Sequence, residues 1–254
     1  ANIGEIYLID KAVMRKLAVQ LNQQSTFTKT SSILNNKTEF SRLNNSLESN
    51  EISILTRSLS DSTDSQYIMF SEITNISFDE QATNSWSFWQ QGIYPRNFAI
   101  TFYLYNGVNG ELLWQQRYQN SAPWTFTKRI KVDVDGNAFW QSEYGAMVEN
   151  ILDEVIKDID ENIMCEPSRG KIIQVEGNQV TINIGRDHGL KIGDEFSLLH
   201  LTNFTSNSGK AYAGYNLSPY TVKVTKLSRQ TATAITPDGR LFGNIQVEDL
   251  AVRY

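Results

Sequence analysis

The character of the sequence changes at residues 165–170, and this change most limits what the chain can fold into. Before it, amphipathic helical segments alternate with long extended ones; after it, short strand-like segments follow at even spacing, with Gly, Asn and Asp between them. Pro167 disfavours helix at the residue before it, and Gly170 permits a sharp turn. We therefore predict two domains, residues 1–165 and residues 166–254, which suits a chain of 254 residues.

The first domain is predicted to be an α/β sandwich, because helical and strand periodicities alternate along it. Apolar residues recur every three or four positions in the segments 6–21, 37–49, 52–59 and 147–163. Extended patterns occupy 25–34, 66–80 and 97–122. The last of these carries the turn sequence NGVNGE at its centre and predicts a hairpin. We expect a small sheet with helices packed on it.

The second domain is predicted to be a small antiparallel β-barrel. Six strands at even spacing, separated by Gly, Asn and Asp, are typical of this architecture. The predicted strands are 170–177, 179–185, 194–202, 218–228, 230–237 and 244–252, with a longer loop or ragged hairpin at 201–219. The fold class expected for the whole chain is a two-domain α+β or α/β protein.

The stretch VTINIGRDHGLKIGDEFSLLH, residues 180–200, contains both histidines of the chain, His188 and His200, beside several acids. A metal-dependent enzyme could be built on these histidines and Asp194, but metal sites need three or four converging ligands and the spacing does not require convergence. Turn chemistry explains more residues, since Gly185, Gly189 and Gly193 permit reversals. In that interpretation Leu190 and Ile192 point inward.

Other patterns that suggest chemistry have simpler explanations. VDVDGN at 132–137 lacks the glycine and glutamate positions of an EF-hand and predicts a turn before a helix. The five acids of 153–161 lie off the apolar stripe and predict a solvated face. Signatures of nucleophilic, phosphate-binding or dinucleotide-binding enzymes are missing from the sequence. We expect no catalytic residues, no metal and no cofactor.

Composition excludes two classes of partner. The net charge of −5 and the dispersed basic residues argue against nucleic-acid binding. No apolar run is long enough to cross a bilayer, and the opening residues lack a signal peptide and an initiator Met, as in a mature or truncated product.

Cys165 is the only cysteine. It is either a buried thiol or half of a disulfide with a segment beyond this chain.

The segment SWSFWQQGIYP, residues 85–95, is the candidate contact surface. It places four large aromatic residues in a loop-like stretch between two strands: Trp86, Phe88, Trp89 and Tyr94. Such residues either contact a partner or a glycan when exposed, or fold back over the sheet when buried. Trp124 and Trp140 are predicted to be core residues.

Four segments of the sequence together resemble one family. IYLIDKAVMRKLAVQL, YLYNGVNGELLWQQRY, VDVDGNAFWQSEYGAMVENILDEVIKDI and RGKIIQVEGNQVTINIGRDHGLKIGDEFSLLH follow one another as in the FlgT family of flagellar H-ring proteins. AFWQSEYG and GRDHGLKIGDEF are its most specific landmarks, and the resemblance covers nearly the whole chain. The family has a further N-terminal domain that this chain lacks.

The resemblance implies a non-catalytic structural protein in the periplasm, near the outer membrane, in Vibrio-type polar flagella. Its members form the H ring around the LP ring of the basal body and support assembly of the T ring and the stator of the sodium-driven motor. The implied partners are the L- and P-ring proteins, the T-ring proteins MotX and MotY, and further copies of the chain. The implied middle domain resembles the N-terminal domain of TolB. The alternative is a periplasmic glycan- or peptide-binding module using the aromatic residues of 85–95.

Overall fold

The computed structural model describes residues 6, 8–25, 33, 49–63, 65–78, 94–127, 131–164, 168–205 and 211–253. The chain divides into two compact units, Ala1–Met164 and Cys165–Tyr254. Each unit contains one antiparallel sheet, and the described α-helices lie in the first unit. The predicted α+β class is confirmed.

The first unit combines a three-stranded sheet with helices. Its strands are β1 (Tyr67–Asn75), β2 (Tyr94–Asn106) and β3 (Leu112–Trp124), in the spatial order β1-β2-β3. Its helices are α1 (Ile9–Gln24), α2 (Ser49–Thr63), the short α3 (Asn137–Trp140) and α4 (Glu143–Met164). The predicted hairpin is confirmed as β2–β3, and VDVDGN is confirmed as a turn that leads into α3.

The core of the first unit lies between one face of this sheet and the apolar faces of α1 and α4. Every second residue of β2 points into it, as strand geometry requires: Phe98, Ile100, Phe102 and Leu104. The predicted stripe of α4 is buried there, namely Met147, Ile151, Val155, Ile159 and Ile163. A second buried row beside it, Val148, Leu152 and Ile156, widens the apolar face of this helix.

Two acids of α4 are less exposed than the predicted solvated face requires. Asp153, Glu154 and Glu161 are exposed, but Asp158 and Asp160 are half-buried. The reason is hydrogen bonding to neighbouring elements, since the Tyr118 hydroxyl donates to Asp158 and the Ser25 hydroxyl donates to Asp160. These bonds attach α4 to β3 and to the end of α1.

Helix α2 covers part of the other face of the sheet. Ile52 packs there with Tyr103 and Tyr105. The β2–β3 turn comes so close to α2 that a Cβ atom on Gly110 would lie 2.6 Å from the carbonyl oxygen of Ser53, and the φ of Gly110 is +72°. Only glycine satisfies both conditions without strain.

The second unit is a six-stranded sheet that closes on itself. Its strands are β4 (Ser168–Glu176), β5 (Gln179–Ile182), β6 (Glu195–Thr205), β7 (Ala211–Leu227), β8 (Ala232–Ile235) and β9 (Leu250–Arg253). They follow the order β4-β5-β8-β7-β6-β9, and β9 pairs with both β6 and β4. The interior is apolar, with Ile172, Val180, Ile182, Phe196, Leu198, Val222 and Val224 among its members.

Several predictions concern residues that are not described. The predicted strand at 25–34 and helix at 37–49 lie outside the described residues, apart from Ser25, Ile33 and Ser49. Cys165 lies outside them as well. The longer loop or ragged hairpin predicted at 201–219 is a hairpin of β6 and β7, paired from Leu201 and Tyr215 to Thr205 and Ala211, and its register shifts between Leu217 and Thr221.

Candidate functional site

The aromatic segment predicted as a contact surface joins β1 to β2. Trp86, Phe88 and Trp89 lie outside the described residues, and Tyr94 begins β2 with its side chain outside them too. The residues on either side of 79–95 are paired, because Phe78 and Arg96 form an antiparallel bridge. The amide of Asn97 also donates to the carbonyl of Ser77 at 2.7 Å.

Arg96 stabilises this bridge, and it was not predicted from the sequence. Its side chain is buried among three rings, with its guanidinium carbon 4.5 Å from the centre of the Trp124 ring and 4.8 Å from that of Phe78. The third ring, Tyr144, is 5.9 Å away. The Arg96 Nε donates to the carbonyl of Ile76 at 2.9 Å. Stacking on aromatic faces suits a guanidinium, which is planar and weakly hydrated.

Burial shapes the electrostatics of this site. Desolvation lowers the pKa of Arg96 below its ordinary value, and the nearby Tyr144 opposes that change. Desolvation raises the pKa of Tyr144, and Arg96 partly offsets the rise. The Tyr144 hydroxyl therefore stays protonated at neutral pH and donates to the carbonyl of Asn97 at 3.0 Å. These contacts attach the start of β2 to the core.

In the second unit, the structure separates the residues of the hypothetical metal site. The His188 Nδ1 accepts a hydrogen bond from the amide of Gly185 at 3.1 Å. Asp194 instead accepts from the amide of Lys191 and from the Arg253 guanidinium. His200 lies beside Asp249. Among the described residues no group of three or more His, Cys, Asp or Glu could hold a metal ion.

The turn interpretation of this stretch is confirmed for its glycines and wrong for one apolar residue. Arg186–His188 form a single 3₁₀ turn, and the φ of Gly189 is +76°. Leu190 is buried as predicted, but Ile192 is 69% exposed. Ile192 lies in a tight turn, in which the amide of Asp194 donates to the carbonyl of Lys191. Its side chain therefore points into solvent.

Asp249 is the buried acid that the sequence did not reveal. It is 1% exposed and directly precedes β9. Its carboxylate accepts hydrogen bonds from the amides of Leu201 and Gln246, each at 2.8 Å, and lies 3.1 Å from the His200 Nδ1. The backbone of the same residue accepts from Ile172 of β4. Asp249 thus connects the strands on both sides of β9, where the sheet closes.

Within the described residues, no helix is long and apolar enough to cross a membrane. The polar residues described above hold turns and strand ends in place through hydrogen bonds to the backbone.

Comparison with family models gives two matches in chain order. Residues 1–134 match the middle domain of flagellar assembly protein T, and residues 177–253 match its C-terminal domain. A comparison with curated proteins gave no match. The resemblance noted in the sequence is therefore confirmed, and the family is one of flagellar assembly proteins rather than a known family of enzymes. The chain belongs to the flagellar assembly protein T family.

Proposed function

We propose that this chain is a structural part of the H ring, which surrounds the LP ring of the flagellar basal body in the periplasm. The observation that carries the proposal is the pair of family matches, which together span both units in the order of the family. Flagellar components are therefore its partners. The finer proposal names the L- and P-ring proteins, the T-ring proteins MotX and MotY, and further copies of the chain.

The mechanism would be scaffolding. Many identical copies present the same surfaces around the rod, so that individually weak contacts gain strength through multivalency. The packing of Arg96 among three rings and the closed sheet of the second unit support this role, because a scaffold must hold its contact surfaces in fixed positions. Support for the T ring and the stator would follow from the position of the H ring beside them.

The proposal also concerns architecture. We infer that residues 1–165 and 166–254 are separate folding domains, supported by their division into compact units with separate apolar cores. We further propose that the first is similar to the N-terminal domain of TolB, as the family resemblance implies. The stability measurements in the Discussion test the separateness of the domains.

Deleting the gene should remove the H ring and impair swimming. The test is electron microscopy of isolated basal bodies, together with motility in soft agar, in the deletion strain and in a strain complemented with the intact gene. We expect the outer ring to be missing and MotX and MotY to be depleted from the deletion basal bodies. Intact rings and normal swimming in the deletion strain would disprove the proposed function.

The aromatic residues Trp86, Phe88, Trp89 and Tyr94 are proposed to contact a flagellar partner. The triple change of Trp86, Phe88 and Trp89 to alanine should reduce the amount of this protein in basal bodies about tenfold, because aromatic residues dominate interface energies. Immunoblots of isolated basal bodies measure it. The conservative control, Trp86→Phe with Trp89→Phe, should keep most of the binding.

Two outcomes would contradict that assignment. If the triple variant loses stability in urea as strongly as Trp114→Ala, which removes a ring packed on the core, the aromatic residues belong to the core instead. If soluble peptidoglycan strands change the tryptophan fluorescence of the unmodified protein saturably, the alternative of a glycan-binding module is favoured.

A further inference from the structure

The two units differ in the sign of their charge. Residues 1–164 contain 20 acidic and 13 basic residues, whereas residues 165–254 contain 8 acidic and 10 basic ones. The net charge of −5 therefore comes from the first unit alone. Opposite charges on two proteins attract and decide which of their surfaces meet. Charged surfaces whose side chains lack partners within the molecule are therefore candidates for contacts between copies.

Several exposed basic residues gather at one end of the second unit, where two parts of the chain meet. The amide of Arg186 donates to the carbonyl of Ser228, and the amide of Gly193 donates to that of Val224, each at 2.9 Å. These bonds bring the turn at 185–194 beside residues 224–229. We call the exposed residues there the basic turn surface: Arg186, Lys191, Ile192 and Lys226.

Neighbouring acids do not neutralise the basic turn surface. The acids close to it are each paired with another cation, in the pairs Asp187 with Arg229, Asp194 with Arg253 and Glu195 with Lys223. In the part of the chain that the structure describes, no ion pair includes Arg186, Lys191 or Lys226. Ile192 adds an exposed apolar side chain beside Lys191. An apolar residue with charged neighbours is typical of a protein interface.

Helix α4 carries a row of acids. Glu154, Asp158 and Glu161 follow at spacings of four and three residues, which places them along one line of the helix. Among the described residues, neither Glu154 nor Asp158 has an ion-pair partner, and Glu161 lies 4.0 Å from Lys157. Like charges at this spacing destabilise a helix. An approaching cation would relieve that repulsion, so the row is suited to a basic partner.

The row of acids lies beside an accessible part of β3. The Tyr118 hydroxyl donates to Asp158, and burial raises the pKa of Tyr118, with the charges of Asp158 and Glu154 adding to the rise. Both acids therefore face this strand. On the same side of β3, Gln116 is exposed and Trp114 is half-buried. We call these residues together the acidic face: Trp114, Gln116, Glu154, Asp158 and Glu161.

We propose that the basic turn surface of one copy docks on the acidic face of the next copy. Three cations then meet three acids, and Ile192 contacts the ring of Trp114. The contact joins two different surfaces, so every copy keeps the same orientation and a chain of such contacts can close into a ring. The proposal rests on the proposed ring function for its biological use.

Two double variants of the full chain test the contact by charge reversal. Lys191→Glu with Lys226→Glu makes the basic turn surface acidic, and Glu154→Lys with Glu161→Lys makes the acidic face basic. Each variant alone should associate about tenfold more weakly than the unmodified chain, because like charges then meet. Sedimentation velocity of the purified proteins at low salt measures the association, since added salt screens exposed charges.

An equimolar mixture of the two double variants should associate as tightly as the unmodified chain. Each reversed surface then meets the reversed surface of the other protein, and the unmodified surfaces also meet. The matched control is Glu51→Lys with Glu111→Lys, which makes the same change of net charge on exposed acids of α2 and of the β2–β3 turn. It should not weaken association. Urea unfolding should show that all of these variants fold.

Four outcomes would overturn the contact. The unmodified chain could be monomeric at every concentration, or a double variant could associate as the unmodified chain does. The mixture could associate no more tightly than its components, or the control could weaken association as strongly as Glu154→Lys with Glu161→Lys. Association is measured on purified protein and the ring on basal bodies, so failure of this contact is distinguishable from failure of the proposed function.

Discussion

Replacing Asp249 with alanine is expected to destabilise the second unit by about 3–5 kcal/mol, because a buried charge network loses its acceptor. The change would remove the carboxylate that accepts from the amides of Leu201 and Gln246 and that lies beside His200. Since β9 lies between β4 and β6, the effect should concentrate where the sheet closes.

Urea unfolding followed by circular dichroism measures this loss, and hydrogen exchange locates it in β4, β6 and β9. Glu195→Ala is the matched control, because Glu195 is an exposed acid of β6 paired with Lys223 at 3.3 Å. It should change stability by less than about 1 kcal/mol. Equal effects of the two changes would show that Asp249 has no special structural role.

The same experiment tests whether the domains are separate. The five tryptophans belong to the first unit: Trp86, Trp89, Trp114, Trp124 and Trp140. Tryptophan fluorescence therefore reports unfolding of that unit alone. If the domains are independent, Asp249→Ala leaves the fluorescence midpoint unchanged while the second unit unfolds earlier. A fluorescence midpoint that moves with the substitution would mean that the two units unfold together.

Replacing Gly185 with alanine should cost the second unit about 3 kcal/mol or more. Its φ is ordinary, but a Cβ atom there would lie 2.6 Å from the carbonyl oxygen of Arg229 and from the amide nitrogen of Thr231. Relieving these backbone clashes would also strain the bonds from Arg186 and Asp187 to the 228–229 carbonyls. Overpacking and the weakening of two backbone hydrogen bonds add to this loss.

Gly189→Ala is the control for that prediction. Gly189 has a φ of +76° with open space around its Cα, so alanine meets only conformational strain of about 1 kcal/mol. Urea unfolding of the two variants should therefore separate close packing from backbone conformation. If Gly189→Ala proves as damaging as Gly185→Ala, left-handed backbone and not close approach explains the glycines of this turn.

Periodicity predicted the elements that bury one continuous face. Helices α1, α2 and α4 and the β2–β3 hairpin were predictable because their apolar residues recur at 3.6 or 2 positions, whatever they pack against. Ile192 was placed inward wrongly, because a turn interrupts the alternation that the prediction assumed. Asp158 and Asp160 were predicted as solvated, since a helical stripe cannot show that Tyr118 and Ser25 reach them.

By itself the sequence determined the α+β class, the helices and hairpin, the turn glycines and the family. These features depend on patterns among residues that are close together in the sequence. Only the tertiary structure decided the partners of Arg96 and Asp249, and the separation of His188, His200 and Asp194. The physical reason is that those contacts join residues distant in the chain. A buried polar group needs a hydrogen-bond partner, and the spacing of residues in the sequence does not specify which partner it finds.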